Sequence, residues 1–329
     1  MALPKSITIH ELGPREGMQI EVNPVRTADK VRLIDRLSEC RFAEIEVTSF
    51  VSPRWVPQMA DAEAVVAGFT PRAGTRYTAV YLNRQGLVRA LRSGRLDVDG
   101  ILSVTASETF SRRNTNRGID ETLAETEDRI EMLRAMGVPT REISVMAAFG
   151  CNHEGDVDPR HVVRLIERLH AMAHAHGLAI GLIQLADTMG WANPLAIRRL
   201  VGAVQDRWPG TRINLHLHDT RGLGLANAMA ALEMGVDDFD SAVGGLGGCP
   251  YAGFAGAAGN IATEDLVHLC GEMGIETGVD LPLLLDVARE AEAIVGHPLP
   301  GKVLRGGALP AYRRAAGGAG TGTAASPVQ

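Results

Sequence analysis

The sequence predicts an α/β fold, a (β/α)8 TIM barrel with a short C-terminal helical extension. Short segments rich in β-forming residues alternate with helical segments, which is the pattern of parallel strands joined by crossover helices. Eight strands can be counted, and no glycine-rich phosphate turn of the kind found in doubly wound sheets follows the first of them. A length of 329 residues suits a single domain of this architecture.

The predicted strands are short and regularly spaced along the chain. They are Ser6–Leu12, Ala43–Ser49, Arg76–Asn83, Gly100–Ala106, Glu142–Phe149, Ala179–Leu185, Arg212–His218 and Asp238–Val243. Each is bounded by turn-forming residues or by the start of a helical pattern. This spacing predicts one strand for each β/α repeat of the barrel.

The intervening segments have the polar and apolar pattern of amphipathic helices. The clearest are Ala28–Cys40, Thr122–Met136, Pro159–His176, Pro194–Trp208 and Leu223–Met234, and a further helix at Leu281–Ile294 follows the last strand. Gly137, Gly177 and Gly235 stand where glycine commonly ends a helix. We assign residues 1–306 to the barrel domain and 307–329 to a tail, which we predict to be disordered from about Gly317 because small and polar residues dominate it.

The composition excludes several classes of protein. The chain has 33 basic and 39 acidic residues, a net charge of −6, and no basic stripe that would neutralise nucleic-acid phosphates. The N-terminal segment has neither a secretion signal nor an organellar presequence, and no apolar run has the length of a membrane span. Four widely spaced cysteines fit a reducing compartment. We expect a cytoplasmic protein with no nucleic-acid or membrane partner.

The polar residues at the ends of the predicted strands mark a candidate site, because TIM barrels carry their catalytic groups at the C-terminal ends of the strands. These residues are Arg15 and Glu16 after strand one, Glu46, Thr48 and Ser49 on strand two, Asn83 on strand three, Ser107 and Glu108 after strand four, Asp187 and Thr188 after strand six, His216, His218 and Asp219 at strand seven, and Cys249 after strand eight. We expect all of them to face one mouth of the barrel.

His216 and His218 are the strongest indication of a metal site. Two residues apart on one strand, their side chains leave the same face. A pair of histidines that only bond to each other is the alternative interpretation. With Glu16, Asp187 and Asn260 nearby, the donors form a mixed nitrogen and oxygen shell that suits Mg²⁺ or Mn²⁺ and leaves room for two substrate oxygens. A structural zinc site would have thiolate ligands instead.

Several long motifs resemble those of one enzyme family. The segments ELGPREGMQIE, EVTSFVSPRWVPQMAD and LHLHDTRGLGLANAMAALEMGVDDFDSAVGGLGGCPYA resemble signatures of the 3-hydroxy-3-methylglutaryl-CoA lyases, and GNIATEDLV adds a further match. The likeness runs from about Ile7 to about Gly306. The broader superfamily also includes isopropylmalate and homocitrate synthases.

The resemblance implies a divalent-metal-dependent retro-Claisen lyase that cleaves 3-hydroxy-3-methylglutaryl-CoA to acetoacetate and acetyl-CoA, and we expect a homo-oligomer, a dimer or a tetramer. Its implied metal ligands are Glu16, His216, His218 and Asn260. Its implied catalytic residues are Arg15, which would polarise the thioester carbonyl, together with Glu46, Asp187 and Cys249. The expected substrate contacts are Arg15 and Thr188, which match the family, and Asn83 and Ser107, which lie at strand ends. Closure of the glycine-rich loop would bring the Cys249 thiol to the substrate.

Two departures from the family pattern keep other functions open. Glu16 stands where these lyases generally have Asp, as in homocitrate synthases, and the segment 249–260 is about two residues longer than usual. The alternatives are a lyase for another acyl-CoA such as citramalyl-CoA, a Claisen-type acyl-CoA synthase, and a catalytically silent metal-binding barrel. Synthases usually carry further C-terminal regions, so the end of this chain soon after the barrel favours a lyase.

Two other features have simpler explanations. His170 and His174 have the i, i+4 spacing of some metal sites, but they lie on a predicted outer helix and no carboxylate partner is evident. Cys151 follows strand five and is interpreted as a small apolar residue of the interior rather than as a nucleophile.

Overall fold

The protein, described here from a computed structural model, forms a barrel of eight parallel strands surrounded by helices. The structure describes residues 3–248, 257–309 and Arg313. The strands are β1 (Thr8–Glu11), β2 (Glu44–Ser49), β3 (Arg76–Val80), β4 (Gly100–Thr105), β5 (Thr140–Met146), β6 (Leu182–Ala186), β7 (Arg212–His216) and β8 (Asp238–Ser241). Every predicted strand overlaps its observed counterpart, so the predicted fold class is confirmed.

The helices alternate with the strands as the predicted repeat requires. They are α1 (Thr27–Glu39), α2 (Ala62–Gly68), α3 (Arg84–Ser93), α4 (Glu108–Thr115), α5 (Ile119–Ala135), α6 (Pro159–Ala175), α7 (Pro194–Arg207), α8 (Gly224–Glu233), α9 (Thr263–Glu272), α10 (Leu281–Val295) and α11 (Lys302–Gly306). Gly137, Gly177 and Gly235 adopt φ values of 69°, 71° and 82° after α5, α6 and α8, which is the left-handed conformation expected of a helix end. Helices α10 and α11 form the predicted C-terminal extension.

The strands pair in the order β3-β2-β1-β8-β7-β6-β5-β4, and each neighbouring pair is parallel. No ladder joins the described residues of β3 and β4, and this seam is connected by a backbone bond from the Asp97 N–H to the Tyr77 carbonyl at 2.8 Å and by side chains. Arg129 of α5 donates from Nε to the Ile101 carbonyl at 3.1 Å and from Nη1 to the Leu82 carbonyl at 3.4 Å. The Arg129 guanidinium therefore connects β4 to the segment that follows β3.

Alternation along each strand separates the two faces of the sheet. Ile9, Ile143, Ile183, Leu215 and Phe239 are almost fully buried in the main hydrophobic cluster, which also includes the helices. Residues one position away, such as Asp240 and His216, bond across the barrel interior. The apolar face of the sheet thus packs against the helices, and the polar face lines the barrel interior below the mouth.

A small hairpin, Gly150–Cys151 paired with Gly155–Asp156, follows β5 at that mouth. None of the described helices has the length and apolar character that crossing a membrane requires. The tail that the sequence predicts to be disordered from about residue 317 lies outside the described residues.

Candidate active site

Arg15 and Glu16 lie in a π-helical turn, Gly13–Gly17, directly after β1. The buried carboxylate of Glu11 fixes this turn, since it accepts hydrogen bonds from the backbone N–H of Gly13 and of Val243, each at 2.8 Å. A Cβ atom on Gly17 would lie 2.7 Å from the Cβ of Leu246, so only glycine lets the turn approach the segment after β8 this closely. The turn places Arg15 and Glu16 side by side at the barrel mouth, and isolated π-turns are common at functional sites.

Glu16, His216 and His218 bring their donor atoms together at the mouth, with one donor atom from each lying within 4.8 Å of the others. His216 ends β7, and His218 lies just beyond it with its side chain on the same side, as the spacing predicts. The two Nε2 atoms are 3.1 Å apart, and they lie 3.3 Å and 3.5 Å from Oε1 of Glu16. Three side chains with strong donor atoms therefore converge on one point.

Asn260 joins this cluster through an antiparallel bridge to His218. The backbone bond from Asp219 N–H to the Gly259 carbonyl, at 2.6 Å, holds the two segments together. The Asn260 amide donates from Nδ2 to Glu16 Oε1 at 3.2 Å, although the two residues are 244 positions apart. Its Oδ1 atom is buried and has no hydrogen-bond partner, which is costly in a protein interior unless a ligand satisfies it.

These atoms fit a divalent cation. Two imidazole nitrogens, a carboxylate oxygen and an unpartnered amide oxygen form the mixed donor set that octahedral cations such as Mg²⁺ and Mn²⁺ accept. Nδ1 of His216 lies 3.1 Å from Oδ2 of Asp240, a carboxylate that can only accept this bond from the ring N–H. Nε2 of His216 therefore faces Glu16 and His218, and it offers a lone pair once the ring is neutral.

Charge coupling within the cluster is strong. Burial opposes the ionisation of Glu16, but the charges of His216 and Arg15 outweigh burial and hold the pKa of this carboxyl well below its ordinary value. Burial also opposes the charge on His216, yet Glu16 and Asp240 raise the pKa of the imidazole to about 10. A cation bound here would have to displace that proton, so metal binding should release protons to solution.

Arg15 connects the cluster to β2. Its Nε donates to Oε1 of Glu46, and its Nη2 lies 3.0 Å from Oε2 of Glu16. Burial raises the pKa of Glu46 to about 7, although Arg15 acts in the opposite direction. The guanidinium is thus held between two carboxylates at the mouth.

Asp187 follows β6, and its backbone N–H donates to the carbonyl of His216 at 2.8 Å. The side chain is 1% exposed, and its Oδ1 accepts from the backbone N–H of Trp191 at 2.7 Å and of Ala192 at 3.0 Å. Its Oδ2 is buried without a hydrogen-bond partner. Burial raises the pKa of Asp187, against these two hydrogen bonds and the charge of His218. The free oxygen has the character of a proton acceptor.

Comparison with known proteins shows the family of the chain. The HMGL-like family model matches residues 6–290. The chain belongs to the HMGL-like family. It is 40% identical to hydroxymethylglutaryl-CoA lyase YngG of Bacillus subtilis (strain 168) over 305 residues, covering 93% of this chain and 98% of that protein. It is 42% identical to a 3-hydroxy-3-isohexenylglutaryl-CoA/hydroxy-methylglutaryl-CoA lyase of Pseudomonas aeruginosa, covering 90% and 95% of the two chains.

The crystal structure of the Bacillus subtilis HMG-CoA lyase superimposes with a TM-score of 0.85 at 39% identity, covering 93% of this chain and 99% of that one. The family resemblance inferred from the motifs is therefore confirmed, and so is the barrel fold. The π-turn, the histidine pair and Asn260 all lie in segments that carry this HMGL-like resemblance.

The remaining predicted site residues occupy different positions in this HMGL-like barrel. Asn83 is exposed, and its Oδ1 accepts from the Gly86 N–H at the start of α3. Ser107 is buried and caps α4, while the Cys151 thiol donates to its hydroxyl at 3.0 Å. Thr188 is half-buried, and its hydroxyl accepts from the Ala147 N–H. Cys249 lies outside the described residues.

Three polar residues near the site, of which Glu11 and Asp240 are buried and Gln184 is half-buried, were not predicted from the sequence. Asp240 contacts His216, Gln184 contacts Asp240, and Glu11 braces the π-turn. A signal was present for the first of them: Asp238 and Asp240 alternate with Phe239 on a strand otherwise expected to be apolar. Polar residues at alternate positions of a fully buried strand indicate a polar barrel interior.

Proposed function

We propose that the protein is a divalent-metal-dependent retro-Claisen lyase that cleaves 3-hydroxy-3-methylglutaryl-CoA to acetoacetate and acetyl-CoA. The observation that carries the proposal is the convergence of Glu16, His216 and His218 at the mouth, with Arg15 3.0 Å from Glu16. The names of two relatives at 40% and 42% identity support the same reaction.

Glu16, His216, His218 and Asn260 would hold the cation, which we propose to be Mg²⁺ or Mn²⁺. When bound, the cation would lower the pKa of the substrate's tertiary hydroxyl and orient the substrate through its hydroxyl and carboxylate oxygens. Glu16 keeps the carboxylate that such a site needs, although the family usually has the shorter Asp at this position.

Asp187 would take the hydroxyl proton. Its Oδ2 has no competing hydrogen bond, and burial raises its pKa toward the range of an effective base. As the O–H bond gives up its proton to this carboxylate, the oxygen forms the ketone of acetoacetate. The bond between C3 and the carbon next to the thioester breaks, and its electron pair passes to the thioester enolate.

Arg15 would stabilise the enolate oxygen. The Arg15 side chain is 16% exposed and its guanidinium is held by Glu46 and Glu16, so it needs little reorganisation as negative charge develops. Glu46 acts as the positioning partner of Arg15. Cys249 would then deliver a proton to the enolate carbon, giving acetyl-CoA, with the thiol reprotonated from solvent and the proton on Asp187 returned to solvent. That role rests on the match of its motif to the lyase family.

A panel of acyl-CoA thioesters tests this proposal. The metal-stripped chain, reloaded with Mg²⁺ or Mn²⁺, is incubated with 3-hydroxy-3-methylglutaryl-CoA, its 3-isohexenyl analogue and citramalyl-CoA, and acetyl-CoA is measured. We expect release from the methyl compound, dependence on added metal, and its loss in Glu16→Gln, which keeps the shape of the side chain but removes its charge. Lack of release from every compound by metal-loaded protein would overturn the lyase proposal.

The same panel separates the competing reactions. Faster cleavage of citramalyl-CoA than of the methyl compound would reassign the substrate while keeping the chemistry. Condensation of acetyl-CoA with a keto acid, without cleavage of any panel member, would favour a synthase. Metal binding without either reaction would indicate a silent barrel.

A further inference from the structure

Asp240, on β8, is the residue that the proposed ligand set and mechanism leave without a role, although it touches the proposed metal site. The Asp240 side chain is 7% exposed. Oδ2 accepts from Nδ1 of His216 at 3.1 Å and from Nε2 of Gln184 at 3.0 Å, and Oδ1 accepts from Nδ2 of Asn214 at 2.9 Å. Three donors from two neighbouring strands therefore fix both oxygens.

The donors of Asp240 are themselves fixed. Ser144 on β5 donates from Oγ to the Oε1 of Gln184 at 2.7 Å, which turns the Gln184 NH₂ group toward Asp240. Strand register supports this arrangement, since Ser144 pairs with Gln184, Gln184 with Asn214, and His216 with Asp240. The hydrogen-bonded row crosses β5, β6, β7 and β8 and ends at His216.

We propose that Asp240 is a positioning residue that holds His216 in the ring orientation and tautomer required to bind the cation. With Nδ1–H donated to Asp240, the lone pair is on Nε2, which faces Glu16 and His218. The inference rests on the metal site of the proposed function. In the general case, carboxylates that orient a metal-binding histidine change metal affinity by about 10–100-fold when they are mutated.

Two substitutions of Asp240 test its effect on metal affinity. Asp240→Ala removes the acceptor altogether and leaves the imidazole free to rotate or to take the other tautomer. Asp240→Asn keeps the size of the side chain but has one acceptor oxygen where three N–H donors converge, so its own NH₂ group must face one of them. We expect both variants to bind metal more weakly than the unmodified chain.

Asp238 provides the matched control. It lies on the same strand and the same face, is 1% exposed, and also accepts from Nδ2 of Asn214, at 2.7 Å. Its other bonded neighbours are His10 and Arg212, at the far end of the barrel interior from the histidine pair. Asp238→Asn therefore disturbs the same polar interior and the same strand without removing a bond to a proposed ligand.

The test is a titration of each metal-stripped variant with Mn²⁺. Binding is measured by calorimetry and, independently, from the electron paramagnetic resonance signal of the free ion. We expect the Kd of Asp240→Asn and Asp240→Ala to rise by about 10–100-fold, while that of Asp238→Asn stays within about threefold of the unmodified chain. Urea unfolding of every variant reports stability separately, so a loss of metal affinity through global unfolding is recognised.

Two results would overturn the inference. One is an unchanged Mn²⁺ Kd in folded Asp240→Asn, which is expected to fold even where the Ala variant does not. The other is an equal loss of affinity in Asp238→Asn, which would assign the effect to the polar interior as a whole. If the unmodified chain binds no Mn²⁺, the metal site of the proposed function fails; if it binds Mn²⁺ but cleaves no acyl-CoA, only the proposed reaction fails.

Discussion

On β7, His216 faces the barrel interior and Leu215, its neighbour in the chain, faces the surrounding helices. The two residues share a strand and a backbone environment, with Leu215 fully buried and the His216 side chain 12% exposed, yet their partners differ entirely. Leu215 lies in the main hydrophobic cluster, whereas His216 contacts Glu16, His218 and Asp240. One face of the sheet supplies stability through apolar burial, and the other places charged groups where burial alone would be unfavourable.

The comparison extends to the neighbouring strand. On β8, Phe239 is fully buried among apolar residues, while Asp238 and Asp240 on either side of it bond across the interior. The polar face can exist only because its charges are paired and hydrogen-bonded. Substitutions on the two faces should therefore change different measurements.

His216→Ala should have the largest effect, and it should fall on activity. Removal of this imidazole takes away one of the three converging donors and leaves Asp240 without its ring N–H partner. We expect acetyl-CoA release to fall by on the order of 10²–10³-fold or more, the range for loss of one group that stabilises developing charge. Steady-state turnover at saturating metal measures it; near-normal turnover would remove His216 from the metal site.

Leu215→Ala should have the next largest effect, on stability alone. Truncation of a fully buried leucine removes apolar contacts and leaves a cavity, so we expect the free energy of unfolding to fall by about 2–5 kcal/mol. Urea denaturation measures this change. The kcat of the folded fraction should stay close to normal, and a specific loss of kcat would show that the two faces are not independent.

Glu142→Gln should change how stability depends on pH. Burial, with Asp240 nearby, raises the pKa of Glu142 from its ordinary value of 4.5 to about 8. The folded chain therefore keeps a proton that the unfolded chain releases, and stability must decrease as pH rises from about 4.5 to about 8. A glutamine at position 142 resembles the protonated Glu142 carboxyl, so the Glu142→Gln variant should not lose stability in this way as pH rises.

The free energy of unfolding of the variant should match that of the unmodified chain at about pH 5. At about pH 9 it should be larger by about 1 kcal/mol or more, because each pKa unit corresponds to about 1.4 kcal/mol. Urea unfolding at the two pH values measures the difference. If the free energy of unfolding had the same pH dependence in the two chains, the pKa of Glu142 would not be raised by burial, and this prediction would be wrong.

His174→Ala should have the smallest effect. His174 is exposed on α6, outside the barrel, and the sequence predicts that its spacing from His170 does not mark a metal site. We expect the same Mn²⁺ stoichiometry and Kd as for the unmodified chain. A lower stoichiometry would reveal a second site on the outer surface and would weaken the contrast between the two faces.

The fold and much of the candidate site could be predicted from local sequence. Alternation of β and α segments gave eight strands, and the His216 and His218 spacing correctly placed both rings on one side of β7. The approach of Asn260 to Glu16 could not be derived from spacing, because an antiparallel bridge between distant segments creates it. The motif resemblance had implied that pairing, since the family's fold is encoded in its motifs.

Other features depended on register and on packing. Asn83 and Ser107 were predicted at the mouth because they follow strands, but their side-chain oxygens cap α3 and α4, and local capping is not apparent from strand position alone. Asp240 was overlooked because its role depends on which residue of β7 lies beside it. A register shift of one residue would turn it to the other face.

The sequence by itself determined the order of strands and helices, the face that each strand residue occupies, and the residues that follow each strand at the barrel mouth. These depend on periodicity and on short-range turn chemistry, which neighbouring residues control. The tertiary structure alone decided the interstrand register, the bracing of the π-turn by Glu11, and the hydrogen-bonded row from Ser144 to His216. Those features require residues far apart in the chain to meet within hydrogen-bond distance, and only the parallel pairing of their strands brings them together.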